Sequence, residues 1–257
     1  MNHFLFDVDG TLTPSRKKIN PQFALWFLYF SQNNPVSLVT GSDNPKTLEQ
    51  IGPEICMSVN KIYNCNGNDI WYRQENIYTN PWKISKPLRK FLEEELEASE
   101  YTTRTGKHIE ERPGMVNFSI VGRNADKIQR KDYFYYDIES DERIHIAERI
   151  NKEFDDISAV VGGETGIDII PKGKDKRQVL SDIKEDRVFF FGDRMDPDGN
   201  DFSLAYAVKE EGGVVKQVKS WRDTKEILEN FQKRGIAKWN TEHGTSVAKL
   251  SNRMIGM

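Results

Sequence analysis

Short apolar, β-prone runs alternate along this chain with stretches whose apolar residues recur at helical spacing. His3–Val8 is an apolar strand, and Pro21–Ser31 reads as a helix with Asn20 as N-cap and Pro21 in its first position. Val36–Val39 is a short apolar strand, and Asn44–Ile51 is a second helix with Pro45 just inside its start. Such alternation predicts a parallel sheet covered by helices. The middle differs. Ser85–Ala98 sets Leu88, Phe91, Leu92 and Leu96 on one helical face, and extended stretches at Met115–Val121, Ile157–Val161 and Ile167–Ile170 surround a charged helix, Asp141–Phe154. The alternation then returns: helix Asp175–Ile183, strand Arg187–Phe191, a helix near Asp201–Ala207, strand Val214–Val218 and helix Arg222–Gln232. The predicted architecture is α/β, with a parallel-sheet core from residues 1–81 and 171–257 and an inserted α+β domain at 82–170. The polar segment after Arg234 reads as a mobile tail.

Composition narrows the function classes. The 257 residues are 37% hydrophobic and 30% charged, as in a soluble protein with a real core. The net charge of -3 gives no footprint for nucleic acid, so an anionic substrate has to be met by local basic groups. Cys56 and Cys65 form neither a disulfide framework nor a metal-ligand pair of recognised spacing, and read as inert thiols of a reducing compartment. There is no secretory leader pattern at the N-terminus and no apolar run long enough to span a bilayer. The expectation is a cytoplasmic protein with no membrane partner.

Candidate chemistry begins at Asp7-Val8-Asp9-Gly10-Thr11-Leu12-Thr13. A hydrophobic strand delivers two carboxylates to its C-terminal end, where open α/β sheets bind ligands, and Gly10 permits the turn out of the sheet. Oxygen donors there suit Mg²⁺. Asp7 is placed to attack phosphorus and Asp9 to protonate the leaving oxygen. Asp-Gly is also a common turn pair, so the motif gains weight from its company. A second apolar strand ends in Gly192-Asp193, which brings Asp193 to the same edge as a metal ligand beside Asp7 and Asp9, with Asp201 holding the loop or supporting the metal's ligands from behind. Thr40 and Ser42 end another strand with hydroxyls for the phosphoryl oxygens, and Lys176 opens a helix where it can neutralise Asp7 and phosphate.

These motifs, in this order, resemble the haloacid dehalogenase superfamily of phosphotransferases, and more narrowly its eukaryote-type phosphomannomutases. The resemblance runs from about Phe4 to Val218. It is carried by Phe6–Arg16, Gly41-Ser42-Asp43, Asn66-Gly67, Ile109–Asn117, Gly122-Arg123, Gly162-Gly163 leading to Asp168, Asp175-Lys176-Arg177, Phe190–Asp193 and Gly199-Asn200-Asp201. It implies a Rossmann-like core whose insert is a cap, with Arg112, Arg123 and Arg130 of the cap and Arg16 of the core gripping the non-reacting phosphate of a hexose phosphate. Arginine's planar fork suits that task. Asp168 matches a residue that accepts hydrogen bonds from sugar hydroxyls. The resemblance further implies a hexose 1,6-bisphosphate activator that phosphorylates Asp7, a role in supplying GDP-mannose synthesis, and a homodimer through the cap. Trp82, Tyr133, Phe134, Tyr135 and Tyr136 are aromatic residues that could cover that interface or pack within the insert.

The chain departs from the family pattern in three places. Gly166 stands where the family usually has a serine, Thr40-Gly41 replaces a double glycine, and Phe202–Ala207 replaces an acidic loop that supports a further cation. These keep a Mg²⁺-dependent sugar-phosphate phosphatase of the same superfamily as the alternative reading. A catalytically silent sugar-phosphate-binding protein is a third, opposed by intact Asp7, Asp9, Lys176 and Asp193.

Overall fold

The computed structural model describes residues 1–184, 187–197 and 199–238. In chain order its elements begin with β1 (Asn2–Phe6), α1 (Pro21–Asn33), β2 (Val36–Val39), α2 (Asn44–Ile51), α3 (Pro53–Ser58), β3 (Lys61–Asn64), β4 (Asp69–Tyr72) and β5 (Glu75–Thr79). Next come α4 (Lys86–Ala98), β6 (Ile109–Arg112), β7 (Met115–Phe118), α5 (Lys127–Ser140), α6 (Glu142–Glu153), β8 (Ile157–Gly162) and β9 (Gly166–Pro171). A 3₁₀ segment (Lys176–Asp182), β10 (Arg187–Gly192), α7 (Phe202–Glu210), β11 (Val214–Gln217) and α8 (Trp221–Lys233) complete the chain.

Seven strands form one sheet in the order β11-β10-β1-β2-β3-β4-β5, parallel from β11 to β3 and antiparallel through the β4–β5 hairpin. Successive side chains of a strand face opposite layers. Phe4, Phe6, Phe189 and Phe191 accordingly join the core under α1 and α8, while Leu5 and Phe190 join the core under α7 and the 3₁₀ segment. Asn20 caps α1 by accepting from the Gln22 and Phe23 amides, and Asp43 caps α2 through the Lys46 amide.

Between β5 and β10 the chain builds a second, antiparallel sheet, β6-β7-β9-β8. Its alternation is equally informative. Val116, Phe118, Ile167 and Ile169 point into a core with Leu88 and Leu92 of α4, Tyr133 of α5 and Ile146 and Ile150 of α6. The residues between them, Asn117 and Asp168, are register partners on the opposite face.

Several elements differ from expectation. The predicted helix at Asp175–Ile183 is 3₁₀, and its three-residue turn stacks buried Lys176 and Val179 on one side. The expected strand Met115–Val121 stops at Phe118. Helix α5 was not anticipated, because Tyr133–Tyr136 is β-prone and leaves no apolar stripe; the available signal was its capping box, Asp126 with Gln129. Asp141, at φ +51°, separates α5 from α6 and so does not belong to the charged helix. Between Arg234 and Lys238 the chain is held in place: Ala237 is buried, and the Lys238 amide donates to Asn34 Oδ1 at 2.7 Å. The rest of the predicted tail lies outside the described residues, as does Asp198. Tyr133 is fully buried, Trp82 and Tyr136 pack against the same core and Phe134 is half-buried, which leaves Tyr135 as the exposed member of the aromatic set.

Candidate active site

A phenylalanine ladder sets the register of the site. Phe4 stacks on Phe189 at 5.2 Å and Phe6 on Phe191 at 4.8 Å, following the β1–β10 pairing. Such pairs contribute about 1 kcal/mol each beyond their burial. The Asp7 amide continues the ladder to the Phe191 carbonyl (2.9 Å), so the residues just past both strands, Asp7 and Asp193, emerge side by side. Oxygens of Asp7, Asp193 and Asp201 lie within 4.8 Å of one another. Lys176 sits behind them, 1% exposed, with Nζ 2.6 Å from Asp7 Oδ1 and 2.7 Å from Asp201 Oδ1. Gly10 is required here: its φ is +80°, and a Cβ would lie 2.2 Å from Asp193 Oδ2.

One ammonium cannot balance three close carboxylates. Burial, and the charges of Asp201 and Asp193, push the Asp7 carboxyl well above the ordinary range against the opposing pull of Lys176. Burial and Asp201 push Asp193 up to about 6. Lys176 is held protonated by Asp201 and Asp7 in spite of its burial. An all-oxygen donor set with surplus negative charge fits a hard dication. A raised folded-state value favours the protonated form, so its stabilising contribution is complete at acid pH and is lost as pH rises through about 6. In EDTA, wild-type protein is therefore expected to lose roughly 1 kcal/mol between pH 5 and 7 that Asp193→Asn keeps. Parallel melting curves check this, and equal slopes for the two proteins would refute it.

Asp9 stands apart from the triad. Its Oδ1 accepts from Gln50 Nε2 (2.8 Å) and from the Arg16 amide (2.5 Å), an arrangement that holds the carboxylate at the mouth of the cleft. The side-chain triad is completed by Asp201 in its place. Thr40 and Ser42 lie in the loop just past β2, with the Ser42 amide bonded to Thr40 Oγ1 at 3.1 Å.

The polar face of the second sheet forms the opposite wall. Arg112 lies along Glu110 and donates from Nη1 to the Gly41 carbonyl at 2.9 Å. Burial opposes its charge, but Asp168 and Glu110 outweigh it and raise its proton affinity. Asp168 Oδ1 accepts from Asn117 Nδ2 at 2.7 Å. Arg123 pairs with Glu110 at 3.1 Å, and Arg130 with Glu164 at 2.9 Å and Thr165 Oγ1 at 3.2 Å. Burial and the neighbouring Arg112 bring Arg123 down to about 10, and burial with Arg130 lowers Arg16. The arginines are thus gathered more closely than their carboxylates neutralise. Asp7, Asp9, Asp193, Thr40, Ser42, Arg16, Arg112, Arg123, Arg130 and Asp168 all line one cleft of about 230 Å³, and Lys176 supports it from beneath. Gly166 has a local cause: a Cβ there would sit 2.6 Å from Asn117 Nδ2.

Sequence reasoning gave no role to Gln50, Lys46, Glu164, Thr165 or Arg194. Four of these line the cleft and Gln50 holds Asp9. Asn117 lay inside a recognised motif without a role. Arg194, beside Asp193, reaches across to the Gly163 carbonyl at 2.7 Å.

Residues 26–234 match the family model described as eukaryotic phosphomannomutase. The phosphomannomutase of Saccharomyces cerevisiae is 31% identical over 236 residues, covering 87% of this chain and 91% of that protein. That of Drosophila melanogaster is 29% identical over 240 residues, covering 87% and 92%. Among solved structures, an IMP-bound Plasmodium falciparum IMP-nucleotidase superposes with a TM-score of 0.62 at 16% identity over 91% of this chain and 68% of that one. A haloacid dehalogenase-like hydrolase from Bacteroides thetaiotaomicron gives 0.57 at 16% identity, over 90% and 98%. These likenesses place the fold with the haloacid dehalogenase hydrolases and their Rossmann-like core.

Proposed function

The chain belongs to the eukaryotic phosphomannomutase family, and on that premise we propose that it interconverts mannose 6-phosphate and mannose 1-phosphate by relaying a phosphoryl group through Asp7. The observation that carries the reading is a single cleft with two poles. One holds a nucleophile-grade carboxylate over Lys176, and the other holds an under-neutralised group of arginines. A phosphatase needs only the first pole. A mutase must hold a second phosphate while the first reacts.

In the proposed cycle, Asp7 attacks a phosphoryl group of a hexose 1,6-bisphosphate, the bond from phosphorus to the sugar oxygen breaks, and Asp9 protonates that oxygen as it leaves. The resulting monophosphate departs. An incoming mannose phosphate gives its hydroxyl proton to Asp9 while its oxygen takes the phosphoryl group from Asp7. The bisphosphate then turns over and offers its other phosphate. Lys176 balances Asp7, Thr40 and Ser42 meet the phosphoryl oxygens, and Arg16, Arg112, Arg123 and Arg130 hold the distal phosphate, with Asp168 toward the sugar hydroxyls. Asp7, Asp193 and, as the motif implies, Asp9 would hold Mg²⁺, which when bound neutralises charge so that an anionic nucleophile can approach an anionic ester. Residues 82–170 act as a cap that excludes water from the aspartyl phosphate, a reading supported by the cross-cleft bonds Arg112–Gly41 and Arg194–Gly163.

Among the described residues no helix is long and apolar enough to cross a membrane. Separately, the likeness to phosphomannomutases supports a role in supplying GDP-mannose synthesis, with the cytoplasm as the proposed location. The homodimer implied by the family would have exposed Ile128, Tyr135 and Ile138 of α5 available to it.

Incubation of mannose 1-phosphate with Mg²⁺ and catalytic glucose 1,6-bisphosphate is expected to yield mannose 6-phosphate without stoichiometric free phosphate. Free phosphate with no isomer would instead establish the phosphatase, which the missing hydroxyl at Gly166 allows. Arg123→Gln is expected to raise KM for mannose 1-phosphate about 30-fold, the loss of one charge-assisted contact. Its melting temperature should hold or rise, because a cation crowded by Arg112 is removed. An unchanged KM would take Arg123 out of the phosphate site.

A further inference from the structure

The chain leaves the seven-stranded sheet after β5, at Asn80, and returns through Lys174 on its way to the 3₁₀ segment. Both crossings are tied to one side chain. Asn68, which is fully buried, donates from Nδ2 to the carbonyls of Cys65 (2.8 Å) and Lys174 (3.0 Å), and its Oδ1 accepts from Asn80 Nδ2 (2.8 Å). Its main-chain carbonyl accepts from the Asn80 amide at 2.8 Å, and Asn80 Oδ1 in turn accepts from the Trp82 amide at 3.0 Å. The β6–β7 turn rests directly on this pair. Gly114 has φ +63°, and a Cβ there would lie 2.6 Å from Asn80 Cβ and 2.8 Å from Asn68 Cβ. The same residues join the floor of the cleft, because the Cys65 and Asn66 amides donate to the Ser42 and Thr40 carbonyls, each at 2.9 Å.

We infer that Asn68 is a positioning residue for the phosphoryl-transfer reaction: its carboxamide clamps both crossings to the loop that carries Thr40 and Ser42, so that the cap closes as one body over Asp7. The inference rests on the reading of residues 82–170 as a cap. Pinning Asn80 and Lys174 places the pivot beyond them, at residues 81–85 on one side and 171–173 on the other. Gly173 suits that place, with φ +78° and no atom within 4 Å of a Cβ position. A contiguous path of hydrogen bonds therefore runs from the pivot to the main chain of Thr40 and Ser42, whose hydroxyls face the reacting centre. A cap with a loosened clasp still binds sugar phosphate but admits water to the aspartyl phosphate.

The test is Asn68→Ala in the full chain, read by partition. Free phosphate released per isomer formed is expected to rise about tenfold, while phosphorylation of Asp7 by glucose 1,6-bisphosphate stays within about threefold of wild type. A lower melting temperature with unchanged partition would make Asn68 merely structural and overturn the inference. Amide hydrogen exchange tests the clasp without activity: the Asn80 and Trp82 amides are expected to exchange about tenfold faster in the variant, and unchanged protection overturns the clasp. If Asn68→Ala does not fold, Gly114→Ala, which presses on the same pair from the cap side, is scored by the same two readouts. Wild-type protein that forms no isomer would defeat the mutase reading, and the exchange experiment would still judge the clasp.

Discussion

Asp7→Asn is expected to lower isomer formation by at least about 10⁴-fold while leaving the metal-free protein as stable as wild type or more so. The two effects share one cause. Asp7 is the nucleophile of the proposed cycle, and an amide cannot form the acyl phosphate. Yet the carboxylate is costly to keep: burial and the charges of Asp201 and Asp193 hold its proton affinity far above the ordinary value, so its ionised form opposes folding at neutral pH. The amide removes that charge and leaves Lys176 its contact with Asp201 at 2.7 Å. Stabilisation by added Mg²⁺ should shrink in the variant. A variant with wild-type turnover would remove Asp7 from the mechanism.

Lys176→Met should have the largest effect on folding. The ammonium is 1% exposed and bridges Asp7 and Asp201, which is fully buried. Its folded-state value is raised, so its contribution is complete below the ordinary lysine range, across all physiological pH. Breaking a buried ion pair from one side costs about 3–5 kcal/mol, because the partner is left uncompensated. The metal-free variant is expected to melt roughly 10 °C lower in consequence. Addition of Asp201→Asn should recover a large part of the loss, since it removes a stranded carboxylate, and this coupling separates charge balance from lost packing. Additive losses in the double variant would contradict the charge account.

How much of this could be read from the chain follows from which forces act locally. Strands β1 and β2 and helices α1 and α2, marked by the Asn20 cap and by Pro21 and Pro45, were legible because their signals lie within a few residues, whereas α3 and β3 were not read. The β4–β5 hairpin was not. Its turn places Arg73 and Gln74 at positive φ (45° and 68°), where sequence patterns call for Asn or Gly. Helix α5 was hidden because its two buried side chains, Tyr133 and Asp137, share one face four residues apart but Asp137 is charged, which leaves no apolar stripe to read. The meeting of Asp7, Asp193 and Lys176 at one sheet edge was legible because strand ends and a helix start deliver them there. Gln50 escaped because its task, holding Asp9 from α2 across 41 positions of sequence, is fixed by tertiary packing. Asp201, read as holding the loop or supporting the metal, does accept from the Arg194 amide of that loop at 3.2 Å, and it also shares Lys176 with Asp7, a contact that only the convergence of α7 and the 3₁₀ segment creates.

The central claim is that Asp7 carries the phosphoryl group between two hexose phosphates. Rapid quench of the enzyme with radiolabelled glucose 1,6-bisphosphate and Mg²⁺, followed by a chase of unlabelled mannose 1-phosphate, tests it most directly. Label is expected on the peptide containing Asp7, and the chase is expected to move it into hexose bisphosphate and then into mannose 6-phosphate. Label that never appears on that peptide, or that leaves it only as inorganic phosphate, would contradict it.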